Sequence, residues 1–280
     1  MRLGEFGVWT SYRAIGGENA AAAARLVEDL GFSAFWLGGS PQVPALRPLL
    51  EGTERIVVAT GILNVWQSEP ERVARDFAEL SGEFPRRVLL GIGIGHPEAT
   101  RQYAKPLLAM RGFLDGLDAA ATAVPRDARC LAALGPKMLA LSAERSLGAH
   151  TYFVPVAHTR AARERLGELP LLAPELACVL DDEIKSARAK ARAYAKVYLG
   201  LRNYTHNLLS FGFAPEDIAD GGSDRLIDAV IPQGNADEIA ASAHQHVAAG
   251  ANHVCLQAVG VAGIPQSEWT ALASALGISG

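Results

Sequence analysis

The apolar positions of this chain fall into runs that alternate between strand length and helix length from one end to the other. The short runs are rich in Val, Ile, Leu, Ala and Cys, a composition typical of strands that are buried on both faces of a parallel sheet. We predict eight such strands, at residues 6–9, 34–37, 56–60, 87–93, 130–133, 149–153, 176–180 and 253–258.

Helix-length runs separate these strands and follow the last one. The predicted helices cover residues 18–30, 43–50, 70–81, 97–123, 136–145, 158–166, 183–198, 236–249 and 266–276. Gly31, Gly148 and Gly250 each stand between a helical run and a strand, which is typical of a helix C-cap. Alternation throughout the chain favours a single (β/α)8 TIM barrel over two doubly wound domains.

One segment interrupts the alternation. Residues 200–234 contain no good strand pattern, and they follow the helix after the seventh strand. We therefore predict a single TIM-barrel domain over residues 1–280, with a helical insertion at about 200–234.

Composition narrows the possible partners. The chain has 280 residues, 49% of them apolar and 20% charged, which is enough to bury a large core. Its net charge of −4 and scattered Lys and Arg argue against a nucleic-acid surface. We see no membrane span or signal peptide, so we expect a cytoplasmic protein. Cys130, Cys178 and Cys255 stand singly without metal or redox spacing, and no metal site is predicted.

Function in a barrel belongs at the carboxyl ends of the strands. The residues there are poor in acids and bases but rich in Gly, Trp and amides. A hydrolase would need a nucleophile with a base, or clustered metal ligands. Apolar walls, close backbone approach and a phosphate anchor instead suit a planar redox cofactor.

The third strand runs directly into residues 61–66, which lack an early helix start signal. This run holds Gly61, Ile62, Asn64 and Trp66. Apolar residues with one Gly, one Asn and one Trp just past a barrel strand predict a wall for a flat ligand.

The fifth strand is followed by Gly135, Pro136, Lys137 and Met138. Gly allows close backbone approach, and Pro suits the first position of a helix. The free N–H groups of that helix would face the barrel mouth, where a phosphate binds well. A plain helix start without a ligand is the alternative interpretation.

Residues 91–96 imitate a dinucleotide fingerprint, but His96 stands where its last Gly is required. Gly93 is better interpreted as a strand end where a ligand approaches the backbone. His96 and His150 are the histidines near strand ends, and for each either packing or direct chemistry is possible.

Residues 60–70, 84–97 and 133–154 resemble the luciferase-like monooxygenase family, and most of all its branch of coenzyme F420-dependent oxidoreductases. The resemblance continues more weakly toward both ends of the chain. It implies a TIM barrel with a flavin or deazaflavin across its carboxyl-end mouth. It also implies a homodimer, because family members are commonly dimers.

The resemblance further implies roles for particular residues. Gly61–Ile62 matches a non-prolyl cis peptide behind the tricyclic ring, and Asn64 matches a polar position near that ring. The cofactor phosphate would be received by Gly135, Lys137 and Met138, and Gly38 and Gly93 complete the cofactor-binding set. The substrate side would be lined by Trp9, Trp66 and His96, although both tryptophans could equally be packing residues.

The chain also departs from the family pattern. Many deazaflavin enzymes carry an Asp at the end of the second strand, where this chain has Gly38 and Gly39. The leading hypothesis is hydride transfer between coenzyme F420 and an unknown small organic substrate. An FMN-dependent monooxygenase is the alternative enzyme, and a non-catalytic ligand-binding barrel is the alternative outside enzymology.

Overall fold

The computed structural model of the protein describes residues 3–99 and 103–278, and it shows a closed parallel barrel. The barrel strands are β1 (Phe6–Ser11), β2 (Ala34–Gly38), β3 (Val57–Thr60), β5 (Val88–Gly93), β6 (Arg129–Ala132), β7 (Gly148–Thr151), β8 (Leu171–Leu180) and β10 (Val254–Ala258). Two short strands, β4 (Leu63–Asn64) and β9 (Gln233–Gly234), extend the ladder beside β5 and β8.

Closure of the barrel depends on β10, which pairs in parallel with both β1 and β8. Phe6 lies opposite Val254 in the pair with β1, and Glu175 lies opposite Cys255 in the pair with β8. The predicted (β/α)8 barrel is therefore confirmed.

Helices surround this barrel. In chain order they are α1 (Tyr12–Ile15), α2 (Ala20–Asp29), α3 (Arg47–Glu51), α4 (Pro70–Glu83), α5 (Pro106–Ala119), α6 (Pro136–Arg145), α7 (Val156–Leu166), α8 (Ile184–Leu199), α9 (Arg202–Ser210), α10 (Pro215–Ile218), α11 (Asp224–Val230), α12 (Ala236–Ala248) and α13 (Gln266–Ala275). No helix within the described ranges is long and apolar enough to cross a membrane.

Helix α5 is shorter than the predicted helix over 97–123, of which residues 100–102 lie outside the described part of the chain. A separate 3-10 turn covers Pro97–Ala99, and α5 begins at Pro106. Proline disfavours a helical conformation in the residue before it, and Lys105 has a left-handed φ of 46°. The helix therefore cannot continue through this point.

Strand β8 begins at Leu171, five residues before the predicted start at residue 176. The first half of β8 was not predicted because Pro174 and Glu175 break its apolar pattern. Proline and a carboxylate both argue against a buried central strand. Both residues nevertheless lie in the barrel wall, where Pro174 pairs with Thr151. Glu175 is consequently a barrel residue.

The barrel interior is an apolar cluster that contains a few polar side chains. Trp36 and His150 stack at its centre, with ring centroids 4.5 Å apart and planes inclined by 14°. Trp36 Nε1 donates to His253 Nε2 at 3.1 Å, and His253 Nδ1 donates to the Gly4 carbonyl at 2.6 Å. The side-chain nitrogens of Trp36 and His253 are thereby satisfied without a charge.

Helices α9, α10 and α11 form the helical insertion after the seventh barrel strand. They pack on α8 through a separate apolar cluster that includes Tyr204, Leu208 and Leu226. Asn203, at the start of α9, reaches back to His96 at the mouth of the barrel. The insertion therefore contributes one wall of the site described next.

Candidate active site

A cavity of about 470 Å³ opens at the carboxyl ends of the barrel strands. Its walls are mostly apolar and aromatic, with a few amides and two histidines. It is lined by Trp9, Gly39, Ser40, Gly61, Ile62, Asn64, Gln67, Ile94, Gly95, His96, Tyr103, Pro106, Ala132, Ala133, Leu134, Met138, His150, Tyr152, Tyr198, Asn203 and Tyr204. We call it the mouth cavity.

One wall of the mouth cavity is the bulge that follows β3. The Gly61–Ile62 peptide bond is cis, as the family resemblance implied. The chain then rejoins the sheet as β4, with Asn64 opposite Gly93. The Ile62 side chain lies so close to Gly93 that a Cβ there would be 2.4 Å from Ile62 Cδ1. Gly93 therefore lies behind the wall and makes room for Ile62.

Asn64 is buried and holds the next turn in place. Its Oδ1 accepts a hydrogen bond of 3.0 Å from the Trp66 backbone N–H. The Trp66 indole donates from Nε1 to the Ile94 carbonyl at 2.7 Å and packs against Tyr103, with ring centroids 5.9 Å apart. Trp66 thus supports Tyr103 and is not among the described residues that line the cavity.

Trp9 forms the floor on the side of β2. Its indole fills the space above Gly38 and Gly61, where added Cβ atoms would lie 2.1 Å and 2.6 Å from the ring. Its ring meets Tyr152 edge-on at 5.3 Å. Trp9 Nε1 is buried and has no hydrogen-bond partner in the described part of the chain.

His96 sits at the rim, between the barrel and the insertion. Its Nδ1 lies 3.1 Å from Asn203 Oδ1, and its ring lies 5.3 Å from that of Tyr204. Burial lowers the pKa of His96, and the Asn203 bond and the Glu98 charge only partly offset this. Because amide oxygen accepts, Nδ1 carries the proton and the neutral ring leaves Nε2 as an acceptor.

His150 lies deeper in the mouth cavity. Its Nδ1 donates to the Ala173 carbonyl at 2.7 Å, and its Nε2 finds no partner among the residues that the structure covers. Burial lowers the pKa of His150 to about 4, so the imidazole is neutral at neutral pH. Trp9 Nε1 and His150 Nε2 together give the cavity one unpaired donor and one unpaired acceptor.

A second cavity, of about 480 Å³, lies at the first turn of α6 and shares Leu134 and Asn203 with the mouth cavity. We call it the outer cavity. It is lined by Leu134, Gly135, Pro136, Leu139, His158, Ala161, Ala162, Arg165, Asn203, His206, Asn207, Ser210 and Phe211.

The polar residues of the outer cavity suit an anionic group. In the first turn of α6, the Met138 and Leu139 N–H groups donate to the Gly135 carbonyl and Pro136 has no N–H, which leaves the Lys137 N–H as the backbone donor of this turn. The positive end of the helix and the guanidinium of Arg165 both favour negative charge. Asn207 is 7% exposed, and its Nδ2 donor is unpaired within the described ranges. His158 donates from Nε2 to the Leu134 carbonyl at 2.9 Å and fixes Leu134, which lines both cavities.

Most of the predicted site residues line the mouth cavity, and the others lie in the outer cavity, behind the wall residues or outside both cavities. Six of them line the mouth cavity: Trp9, Gly61, Ile62, Asn64, His96 and Met138. Gly135 lines the outer cavity, and Gly38 and Gly93 lie directly behind Trp9 and Ile62. Lys137 is on the exposed first turn of α6 and is not among the described lining residues of either cavity.

Our sequence reasoning missed a buried polar cluster behind the mouth cavity. Tyr152, Tyr194, Tyr198 and Gln257 share hydrogen bonds, and Tyr194 reaches Glu175 Oε1 at 3.4 Å. The spacing of Tyr194 and Tyr198 on α8, four residues apart, places both on one helix face and was the available signal. Burial raises the pKa of Glu175 to about 8.

The donor set carries no indication of a metal. Among residues 3–99 and 103–278, no group of three or more His, Cys, Asp and Glu side chains could hold a metal ion. The unpaired Trp9, His150 and Asn207 atoms and the apolar walls instead fit an organic ligand that has a flat body and an anionic end.

The closed barrel, with a cavity at the carboxyl ends of its strands, places the protein in the class of (β/α)8 barrels. The chain belongs to the luciferase-like monooxygenase family, whose family model matches residues 1–253. No protein with a curated description matches it in sequence.

Solved structures share this fold over nearly the whole chain. An F420-dependent secondary alcohol dehydrogenase, in complex with an F420-acetone adduct, has a TM-score of 0.76 at 14% identity, with 100% of both chains covered. The coenzyme F420-dependent tetrahydromethanopterin reductase from Methanopyrus kandleri has a TM-score of 0.73 at 14% identity, covering 97% of this chain and 98% of the other.

An FMN-bound enzyme is also similar. The oxygenating constituent of 3,6-diketocamphane monooxygenase from Pseudomonas putida, a type II Baeyer-Villiger monooxygenase, has a TM-score of 0.69 at 13% identity. The match covers 97% of this chain and 96% of the other. At these identities the likeness shows the fold, and the choice of cofactor must be argued from the site.

Proposed function

We propose that the protein is an oxidoreductase that depends on coenzyme F420 and transfers a hydride between the deazaflavin and a small organic substrate. The observation that carries this proposal is the pair of adjacent cavities. One is broad and apolar, the other lies at a helix N-terminus, and Leu134 and Asn203 belong to both. A ligand with a flat ring and a phosphate needs an apolar cavity for the ring and an anion-binding cavity beside it for the phosphate.

The mouth cavity would hold the ring. Ile62 and the bulge at Gly61 would back it, and Trp9 and His150 would offer their unpaired donor and acceptor to its polar edges. A reduced deazaflavin, when bound, supplies the hydride. At the rim, which carries few acids and bases, the protein's contribution is orientation and exclusion of water.

The outer cavity would hold the anionic end. Gly135 exposes the first turn of α6, and Arg165 and His206 also line this cavity. Lys137 is also on that turn, and a bound phosphate could draw its flexible side chain in. FMN carries a phosphate too, so this cavity alone does not separate the two cofactors.

One observation favours a deazaflavin over FMN. The mouth cavity is backed by a cluster of phenols and a buried carboxyl, which suits the proton that accompanies hydride transfer.

Titration of the purified protein with oxidised and reduced coenzyme F420, and separately with FMN, tests the proposal. We expect saturable absorbance and fluorescence changes with the deazaflavin at micromolar concentration and much weaker ones with FMN. No change with any of them at tens of micromolar would overturn the cofactor assignment. Tighter binding of FMN, with oxygen-dependent turnover, would make the protein a monooxygenase.

Two matched pairs of variants locate the binding. Ala132→Leu fills the mouth cavity, whereas Ala140→Leu adds the same group to the exposed face of α6. Arg165→Gln removes a cation from the outer cavity, whereas Arg160→Gln removes an exposed one from the same helix. We expect the first member of each pair to weaken binding about tenfold or more and the second to leave it unchanged.

A further inference from the structure

A hydrogen-bonded chain runs from the mouth cavity into the barrel wall. Tyr152 lines the cavity and is half-buried. Its hydroxyl lies 2.7 Å from that of Tyr194 and 3.0 Å from that of Tyr198. The Tyr194 hydroxyl lies 3.4 Å from Glu175 Oε1. The chain thus connects a cavity residue to a carboxyl group that is 1% exposed.

The number of protons in this cluster bears on the state of Glu175. Gln257 Oε1 can only accept, and it takes hydrogen bonds from Tyr152 at 2.9 Å and from Tyr194 at 3.0 Å. The cluster contains five hydrogen bonds between oxygens: two to Gln257, two between phenols and one to Glu175. The three phenols supply only three protons for them. A proton on the carboxyl supplies a fourth, so the geometry favours the neutral acid.

The surroundings of Glu175 agree with a neutral acid. The titratable side chains that interact electrostatically with it are Tyr152, Tyr194, Tyr198, Tyr204, Cys178 and Cys255. None of these can carry a positive charge, and His150, next to Tyr152, is neutral. The Phe153 N–H donates to Oε2 at 3.3 Å, yet burial still raises the pKa of the carboxyl to about 8.

We propose that Glu175, Tyr194 and Tyr152 form a proton relay that serves the mouth cavity, and that the substrate is a carbonyl compound or the corresponding alcohol. This inference rests on the proposed function. When a hydride adds to a carbonyl carbon, the carbonyl oxygen needs a proton, and the relay would supply it. Tyr152 is the residue of the relay that lines the cavity. To reach a substrate oxygen, its hydroxyl exchanges one of its three partners, Tyr194, Tyr198 or Gln257, for that oxygen. Glu175 and Tyr194 act through Tyr152.

In the direction of reduction, a bound reduced deazaflavin would supply a hydride to the carbonyl carbon and would itself be oxidised, while the π electron pair of the C=O bond moves to oxygen. The O–H bond of Tyr152 breaks as the new O–H bond of the alcohol forms. Tyr152 recovers a proton from Tyr194, and Tyr194 from Glu175, which is left as a carboxylate and regains its proton from water. Oxidation of an alcohol runs the same transfers in reverse.

Infrared difference spectroscopy of the protein without cofactor provides the first test. Near neutral pH we expect a protonated-carboxyl band that is lost in Glu175→Gln and retained in Glu164→Gln, an exposed position on α7. The band should disappear as the pH rises through about 8, and Tyr194→Phe should shift that midpoint. A wild-type spectrum identical to that of Glu175→Gln would overturn the relay.

The second test uses the protein with reduced coenzyme F420 and a panel of ketones and aldehydes. The wild-type rate should fall as the pH rises through about 8. Glu175→Gln and Tyr194→Phe should lower kcat roughly 100-fold and abolish that pH dependence. A loss of rate with an unchanged pH profile would indicate a merely structural role and would overturn the relay.

The two proposals can fail separately. If the protein shows the Glu175 protonated-carboxyl band but binds no deazaflavin, the proposed function is overturned. Proton delivery to a carbonyl substrate then fails with it. Deazaflavin binding in a protein without the carboxyl band would overturn the relay and leave the proposed function standing.

Discussion

The indole of Trp9 lies directly on Gly38, so closely that a Cβ at position 38 would be 2.1 Å from Trp9 Cη2. This close packing explains why Gly occupies the end of β2, because any larger side chain at position 38 would collide with the ring. Trp9 consequently forms this wall of the mouth cavity.

Gly38→Ala should therefore destabilise the protein, because the new methyl group collides with a packed ring. We expect a loss of about 1–3 kcal/mol in the free energy of unfolding, as for other overpacked core positions. Urea denaturation measures this change. Trp9→Ala in the same chain should reverse much of the additional loss caused by Gly38→Ala.

A glycine in open space provides the control. A Cβ at Gly82, in the last turn of α4, would meet nothing within 4 Å. Gly82→Ala should be neutral or stabilise the protein by about 0.5–1 kcal/mol, because alanine favours the helix and restricts the unfolded chain. Equal destabilisation by Gly38→Ala and Gly82→Ala would contradict the steric explanation.

Stability should fall on the acidic side of neutrality. Burial lowers the pKa of His150, His246 and His253 to about 4, from an ordinary value of 6.5. Between these values the unfolded chain binds more protons than the native protein, so the free energy of unfolding rises with pH. Each histidine contributes a slope of up to about 1.4 kcal/mol per pH unit. Urea denaturation from pH 4.5 to 6.5 should show this, and a flat curve would contradict it.

Glu175 should have the opposite effect on the alkaline side. Its native carboxyl keeps a proton up to a pKa of about 8, while the unfolded carboxyl loses it near 4.5. Above about pH 7, where the unfolded histidines are mostly deprotonated and contribute little, the free energy of unfolding should decrease by up to about 1.4 kcal/mol per pH unit until about pH 8. Glu175→Gln should remove this decrease. A persisting decrease in the variant would assign it to another group.

Most of the barrel could be predicted from the sequence because each strand is a short apolar run between helical patterns. Residues 136–145 were predicted as a helix, and α6 covers the same residues, since Pro136 marks its start. The first half of β8 could not be predicted, because Pro174 and Glu175 break the apolar pattern that identified the other strands.

The candidate site could be predicted only where it is local in sequence. Gly61, Ile62 and Asn64 follow one strand, and one stretch of sequence revealed them. The cluster of Tyr152, Tyr194 and Gln257 joins three distant segments, and only the closed barrel brings them together. Trp66 belongs to the local run, but its hydrogen bond to the Ile94 carbonyl turns it away from the cavity.

A single carboxylate at the opposite end of the barrel should be important for stability. Glu28 on α2 is buried and accepts hydrogen bonds from the backbone N–H groups of Glu54, Arg55 and Ile56, at distances from 2.5 to 3.2 Å. Burial acts to raise the pKa of Glu28, but these N–H groups and the Arg55 charge lower it overall. Glu28→Ala leaves three donors unpaired and should cost about 3 kcal/mol.

The adjacent residue on α2 is the control for this prediction. Asp29 is exposed, and Asp29→Ala should change the free energy of unfolding by less than about 0.5 kcal/mol. Because the native pKa of Glu28 is lowered, its contribution is present at neutral pH and is lost as the pH falls through that pKa. Denaturation curves at neutral pH in which the two variants lose equal stability would contradict the role of Glu28.

Gly93→Ala should change ligand binding through Ile62. The added Cβ would lie 2.4 Å from Ile62 Cδ1 and 3.2 Å from the Ala132 Cβ, so the flexible end of Ile62 must move toward the mouth cavity that it lines. We expect roughly tenfold weaker deazaflavin binding in a spectral titration, equivalent to about 1.4 kcal/mol. Gly112→Ala in α5, where a Cβ meets nothing within 4 Å, should leave binding unchanged. The double variant with Ile62→Ala should recover affinity relative to Gly93→Ala alone. Additive losses would mean that Gly93 acts independently of Ile62.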